Sequence, residues 1–598
     1  DDVYTRIQEA QASNTQSSSK TYSYFEDELT KQVINDLMNI KGYTKTQAQN
    51  LLYSGGLKIM TTQDPDIQNI VDEEYSDPSN YPDYVQYALD YALTVKQPDG
   101  QEVNYSKEMM KLYFQNEDPS FDLLFDSQDE GQTYVDRYKA NILADGSTVV
   151  AERVSFAPQP QSAMTIIDQH TGYVKAIIGG RGTKTASLTL NRATDSTRQP
   201  GSTFKIVSTY AAALNEKGMT LATTYEDQPI TYDNGAPVNN ASGSFNGTTT
   251  IRTAIRNSVN TVAVQCFEDV TPELGLKYLD NFGFTTLAHG TEADTDANGN
   301  VYTDANLPTA LGGLTYGVKN VELCAAYAAI ANGGNYIKPV YYTKILDHNG
   351  NVLIENNSVG RSVIKETTAY LLTSALEDVV QNGTGTACQL DNMAVAGKTG
   401  TTDAYNDLWF VGYTPYYTCA VWSGYDGNQK IPEGDARNFH KTLWRKVMNR
   451  IHQGMEYKDF EVPDGIEQIS ICADTGLLPR VGCPVTEEYF DVGTMPTEYC
   501  DQHFYEYDES QDEDMEIYDV NATPTPDPEN PDGTDNTDGS GGDGTGGDGT
   551  GGDGTGGDGT GGGDIQYPDE SGGDSGNEWI IYYYLKNAFM TDQSVINN

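Results

Sequence analysis

Apolar positions divide the chain into stretches of different period. Phe25, Leu29, Val33 and Leu37 recur at helical spacing, and Lys41-Gly42 closes that helix. Thr44 caps a second helix over residues 45–53, which Gly55-Gly56 ends. Residues 57–61 read as a strand, and Asp64-Pro65 as the cap and first residue of another helix. Residues 77–160 are mixed, acidic and Tyr-rich, and predict a smaller α+β region. At Met164 the texture changes. Residues 164–168 and 173–178 are strongly apolar and flank His170-Thr171-Gly172, which predicts a hairpin.

Helical runs follow at 202–216, at 250–267 with a break near Asn257-Ser258-Val259-Asn260, and at 272–281, 321–332 and 366–380. Three strand-like runs, 393–402, 407–415 and 417–425, are joined by short turns and predict an antiparallel meander. Residues 439–453 predict a helix that packs on it. Helices on an antiparallel sheet, with a helical subdomain, make an α+β fold. Between 521 and 577 the apolar residues shrink to Ala522, Ile565 and Tyr567, and Gly-Gly-Asp-Gly-Thr repeats four times from Gly541 to Thr560. So little apolar surface does not offset chain entropy, and a disordered linker is expected. Residues 579–590 are aromatic and too few to span a membrane.

Charge narrows the classes of partner. The 37 basic and 87 acidic residues give a formal charge of −50, so a nucleic-acid partner is excluded by repulsion of its phosphates. No apolar run reaches the ~18 residues of a spanning helix. Of the seven cysteines, Cys266, Cys324, Cys388 and Cys419 lie in apolar stretches and read as core residues.

Candidate chemistry sits in three short motifs. Ser202 and Lys205 are three apart after the Pro200-Gly201 turn and share a helix face: a nucleophile and a base that needs a neutral amine. Ser258-Val259-Asn260 falls in the helix break, and Lys398-Thr399-Gly400-Thr401-Thr402 on the first strand of the meander. Alone, Ser258 and Asn260 read as helix-breaking residues and Lys398 as a solvated strand lysine. The three together, in that order and in those element types, carry the chemistry.

They match the signature of penicillin-binding proteins and serine β-lactamases. The surrounding residues resemble class A penicillin-binding proteins: Arg198-Gln199-Pro200-Gly201-Ser202-Thr203-Phe204-Lys205, Ala396-Gly397-Lys398-Thr399-Gly400-Thr401-Thr402, and Trp409-Phe410-Val411-Gly412-Tyr413-Thr414-Pro415. The resemblance covers roughly residues 55–503. It implies a penicillin-binding transpeptidase/serine β-lactamase-like fold, with 1–54 as a connector following an absent glycosyltransferase domain and 55–160 as a small interdomain α+β region. Residues 161–455 would be the transpeptidase domain, 456–520 a Cys-containing extension, 521–577 the linker and 578–598 an aromatic tail. The implied activity is D,D-transpeptidation of peptidoglycan stem peptides, with a D-Ala-D-Ala donor and an amine acceptor, through an acyl-enzyme on Ser202 that β-lactams also form. Lys205 would be the base, Ser258 a proton relay and Lys398 a second cation that depresses the Lys205 pKa. Asn260 would bind a substrate amide, Gly400 would let the strand approach the peptide, and Lys398, Thr399 and Thr401 would bind its carboxylate. The Ser202 and Thr401 N–H groups would form the oxyanion hole. The expected place is the extracytoplasmic face of a bacterial membrane, attached only through an anchor preceding this region. A D,D-carboxypeptidase, a β-lactamase and a non-catalytic wall scaffold use the same features. No cofactor and no metal is expected for the reaction.

Two further patterns are metal-like. Asp294-x-Asp296-x-Asn298-Gly299 matches the first half of a Ca²⁺ loop, but its twelfth position is Ala305, so an acidic surface loop is expected. Cys472, Cys483, Cys500 and His503 fit either a Cys₃His zinc site or a disulfide with one thiol left over.

Overall fold

The structure, a computed structural model, describes residues 21–503 except 144, 358 and 403. The expected linker and aromatic tail, residues 504–520 of the extension and the first 20 residues of the connector lie outside the described residues.

An antiparallel five-stranded sheet organises the fold. Its strands are β1 (Gln161–Asp168), β2 (Tyr173–Ile178), β3 (Ala396–Thr401), β4 (Asp407–Tyr413) and β5 (Thr418–Gly424), in the order β3-β4-β5-β1-β2. The expected hairpin and the expected meander thus join edge to edge, with Cys419 opposite Ile166 and Val421 opposite Met164. Every residue of β4 and β5 is buried, so both faces are covered, as their unbroken apolar runs require. Alternate side chains serve different cores. Met164, Ile166, Phe410, Cys419 and Val421 meet Ile67, Val71 and Tyr75, together with Leu443, Trp444, Val447 and Met448 of the helix Phe439–Ile451. Ala163, Ile167, Trp409, Val411, Tyr413 and Ala420 face the larger helical layer.

That layer contains α1 (Ile251–Asn257), α2 (Asn260–Val270), α3 (Asn320–Ala331) and α4 (Glu366–Asn382). α3 is apolar on all sides, and nine of its 12 residues are buried, which suits a helix enclosed by its neighbours. The run expected as one helix over 202–216 is divided. A 3₁₀ turn at Gly201–Thr203 leads into a π-helical turn at Lys205–Tyr210 and then an α-helix at Ala211–Glu216. All six residues of the π turn are buried, and Ser208 Oγ donates to Phe204 O at 2.7 Å, so packing and a side-chain bond override helix propensity there.

Two smaller assemblies flank this body. Strands Gln86–Lys96, Glu102–Ser106 and Thr148–Gln159 with helices Lys107–Gln115 and Gln128–Ile142 enclose their own core, including Leu89, Leu93, Phe114 and Val135. Helix Tyr24–Lys41 has a Ser23/Glu26 capping box, and its Phe25 enters the main core while Val33 and Leu37 pack with Tyr342 and Ile345. Beyond the last helix, β6 (Ile466–Cys472) and β7 (Val485–Asp491) form a hairpin. The described residues group into one compact unit.

Candidate active site

Ser202 sits on the 3₁₀ turn, wedged against β3. Gly201 has φ +55°, and a Cβ there would lie 2.8 Å from Thr401 O and 3.0 Å from Thr401 N. A Cβ on Gly400 would lie 2.5 Å from Pro200 O. Two backbones therefore meet directly, which side chains at either glycine would prevent. Trp409 Nε1 donates to Gln199 O at 2.9 Å, and Tyr327 O–H to Thr203 O at 2.7 Å, so buried aromatics hold both ends of the turn.

Ser258 ends α1 in the left-handed region, at φ 57° and ψ 42°. A serine held there is strained, and the strain places its hydroxyl between two lysines. Lys205 Nζ donates to Ser258 O at 2.7 Å, to Asn260 Oδ1 at 2.6 Å and to Ser258 Oγ at 3.2 Å. Lys398 Nζ donates to the same Oγ at 2.9 Å and to Thr399 O at 3.2 Å. Both lysines are fully buried. Burial, which strips water from the ammonium, lowers the Lys398 pKa to about 7. Among the described residues no carboxylate pairs with Lys398, so nothing offsets that loss.

Ser202, Ser258, Asn260, Thr399 and Thr401 line one open cavity of about 580 Å³, together with Tyr232, Pro237 and Val238. Strand alternation separates the β3 residues. Thr399 and Thr401 face the cavity, whereas Gly400 faces the serine turn and Lys398 faces Ser258. Gly400 makes room for Pro200 and Thr203. Lys398 is buried against Ser258, itself a lining residue of the cavity. Asn260 uses its Oδ1 on Lys205 and its Nδ2 on Asn239 O at 2.7 Å, so its amide orients the lysine.

Other residues escaped the sequence reading. Asn240 Oδ1 accepts from Asn260 N at 2.9 Å and Thr261 N at 3.3 Å, which caps α2 from a separate loop. Buried Asp227 holds Asn240 Nδ2 and Thr261 Oγ1, each at 2.6 Å. Thr384 Oγ1 lies 2.7 Å from Thr399 Oγ1 in the cavity lining. Thr384 follows the expected helix stop at Asn382-Gly383, a signal that was there; Asn240 lies in a polar loop and Asp227 ends the short strand Thr224–Asp227, and neither stands in a motif. From the late hairpin, Glu488 receives Arg252 of α1 in a bidentate pair at 2.6 Å. The helix that ends in Ser258 is thereby clamped from outside.

The metal-like patterns resolve differently. Asp294 Oδ2 accepts from His289 N and Thr291 N, and Asp296 Oδ1 from Asn298 N and Asn300 N, all within the loop itself. The side-chain bond from Asn300, with backbone N–H groups, pulls the Asp296 pKa down to about 2. Cys472, Cys483, Cys500 and His503 converge at the end of the β6–β7 hairpin.

The family model for the penicillin binding protein transpeptidase domain matches residues 162–449, and that for the penicillin-binding protein 1A C-terminal domain matches 462–505. Penicillin-binding protein 1A of Clostridium tetani is 30% identical over 508 residues, covering 82% of this chain and 55% of the relative. Its counterpart in Clostridium perfringens is 29% identical over 514 residues, covering 82% and 52%. The crystal structure of penicillin-binding protein 1A from Haemophilus influenzae superposes with a TM-score of 0.56 at 20% identity, covering 81% of this chain and 78% of that one. The PonA1 protein from Mycobacterium tuberculosis, solved with penicillin V, gives 0.52 at 22% identity, covering 73% and 96%. The chain belongs to the penicillin-binding proteins, and its pair of domains places it in class A. It spans about half the length of the curated relatives it matches.

Proposed function

We propose that this chain carries the D,D-transpeptidase of a peptidoglycan-building enzyme, with residues 161–455 as the catalytic domain. The observation that carries the reading is a single hydroxyl, Ser258 Oγ, shared by two buried lysines beside the Ser202 turn. A hydroxyl offers two acceptor lone pairs and one proton, so it can pass a proton between two amines. A lysine whose pKa burial brings near neutrality exchanges protons readily at working pH.

The steps follow. Ser202 Oγ bonds to the carbonyl carbon of the penultimate D-Ala, and its proton passes to Lys205, which first gives up the proton it shares with Ser258 Oγ. The peptide bond to the terminal D-Ala breaks, and the proton reaches the departing amine by way of Ser258. An acceptor amine then attacks the ester, its proton leaves by the same path, and Ser202 is regenerated. The Ser202 and Thr401 N–H groups stabilise the oxyanion in each attack. Thr399 and Thr401 hydroxyls take the substrate carboxylate, with Thr384 steadying Thr399. Asn260 and Asn240 hold Lys205 and the start of α2. A β-lactam acylates the same serine; the mycobacterial structure of this fold, solved in complex with penicillin V, supports that reading. The enzyme works outside the membrane, on the cell wall. Among the described residues no helix is long and apolar enough to cross a membrane.

The test is release of D-Ala from a stem-peptide substrate with and without an amine acceptor. A cross-linked product that depends on the acceptor supports transpeptidation; D-Ala release indifferent to it turns the reading to a carboxypeptidase. Loss of both in Ser202→Ala is expected, and retained turnover would remove Ser202 from its role.

A further inference from the structure

The β6–β7 hairpin poses a problem of stability. Ile466 and Tyr489 at its outer end pack against the main core, but the end near Cys472 has only Ile471 and Phe490 packed with Ala222, fringed by Ile469 and Met495. A two-stranded element with so small an apolar centre ordinarily needs a staple. At its end four potential ligands meet: Cys472, Cys483, Cys500 and His503, with ligand atoms all within 4.8 Å of one another. Cys472 and Cys500 are fully buried, and no cysteine is bonded to another.

The spacing fits a tetrahedral ion. Zinc with sulfurs at about 2.3 Å and a nitrogen at about 2.0–2.1 Å sets its ligand atoms about 3.5–3.8 Å apart. His503 Nδ1 lies 3.5 Å from Cys472 Sγ and 3.3 Å from Cys500 Sγ. A second layer is in place as well. His503 Nε2 faces Asp474 Oδ2 at 3.3 Å, the carboxylate that fixes a ligating imidazole with Nδ1 toward the metal. Arg480 N donates to Cys483 Sγ at 3.2 Å, and its Nε to Cys500 O at 2.9 Å, which places a cation beside the thiolates. A disulfide would use two sulfurs and leave the third, the imidazole and its carboxylate without a reason to converge.

We infer that Cys472, Cys483, Cys500 and His503 form a structural Cys₃His zinc site that staples the C-terminal hairpin. Three thiol protons leave to solvent on binding, and the imidazole binds neutral through Nδ1. Four protein ligands close the coordination shell, so the metal takes no part in the reaction at Ser202. Sulfur-rich tetrahedral ligation selects zinc over magnesium or calcium.

The full chain, purified with a thiol reductant, loaded with zinc and dialysed metal-free, is expected to hold one zinc per chain by elemental mass spectrometry. X-ray absorption should report three sulfurs and one nitrogen. Cys483→Ser and His503→Ala should lower the stoichiometry, and Cys388→Ser should not. Asp474→Asn tests the second layer without removing a ligand, and should weaken zinc by about 10–100-fold in competition with a chelator. A chain that stays zinc-free after loading, or native protein lighter by two hydrogens with a bridged cysteine pair, overturns the site. Neither readout depends on activity, so the result stands apart from the fate of the transpeptidase reading.

Discussion

The serine–lysine site and the cysteine–histidine cluster lie on the same compact unit but are held in opposite ways. The first is assembled by packing. Both faces of the central sheet are covered, β4 and β5 are buried throughout, and two lysines are forced onto one serine without a carboxylate on Lys398. The second sits on a hairpin whose apolar core is a handful of side chains, and four ligand atoms converge there. Where a large core is available, it can carry the cost of burying charge and straining Ser258. Where it is not, coordination takes over the structural task. Arg252–Glu488 joins the two regions, since it ties the hairpin to the helix that ends at Ser258.

The largest effect is expected at the packed site. Lys205→Met keeps volume and removes the base, and should slow acylation by roughly 10²–10⁴-fold, read by time-resolved intact mass. A rate near wild type would mean that another group takes the Ser202 proton. The link between the regions comes next. Glu488→Ala leaves the Arg252 charge without its carboxylate, with only Ser374 O and Oγ to accept from it, and should cost about 3–5 kcal/mol in denaturant unfolding. A loss below that range would show that the hairpin does not brace α1. Gly400→Ala should cost about 1–3 kcal/mol through overpacking against Pro200, with slower acylation as the serine turn shifts. Unchanged stability would place the turn farther from β3 than described.

A smaller effect concerns pH. The Lys398 pKa is depressed in the folded state, so the unfolded chain binds more protons between about 7 and the ordinary lysine range. Stability should therefore rise with pH across that window, and Lys398→Met should flatten that rise. Parallel curves for both proteins would argue that Lys398 is solvated. Thr384→Val removes one hydroxyl pair and should cost about 0.5–1.5 kcal/mol, with the cavity otherwise intact.

The legible parts of the chain were those encoded locally. Ser202, Lys205, Ser258, Asn260, Lys398, Thr399 and Thr401 come from short motifs tied to a turn, a helix break and a strand, and the structure brings them around one site. The helix break at Asn257–Asn260 was visible because Ser and Asn favour such places. What stayed hidden depends on partners distant in sequence. The pairing of β5 with β1 joins residues some 250 positions apart in the chain. The Asp227–Asn240 cap of α2 joins the end of a short strand to a loop 13 residues on, with no periodicity to mark it, and the π turn at Lys205–Tyr210 follows from enclosure, which propensity does not report. Gly400 shows the limit within a recognised motif. Its need for no side chain was readable, but the close approach of Pro200 and Thr203 to it depends on three-dimensional packing.

The most direct measurement is the position of a covalent penicillin adduct. Protein treated with a β-lactam, digested and sequenced by mass spectrometry should carry one acyl group, on Ser202, and Ser202→Ala should carry none. An adduct on any other residue, or an unlabelled wild-type chain, contradicts the account.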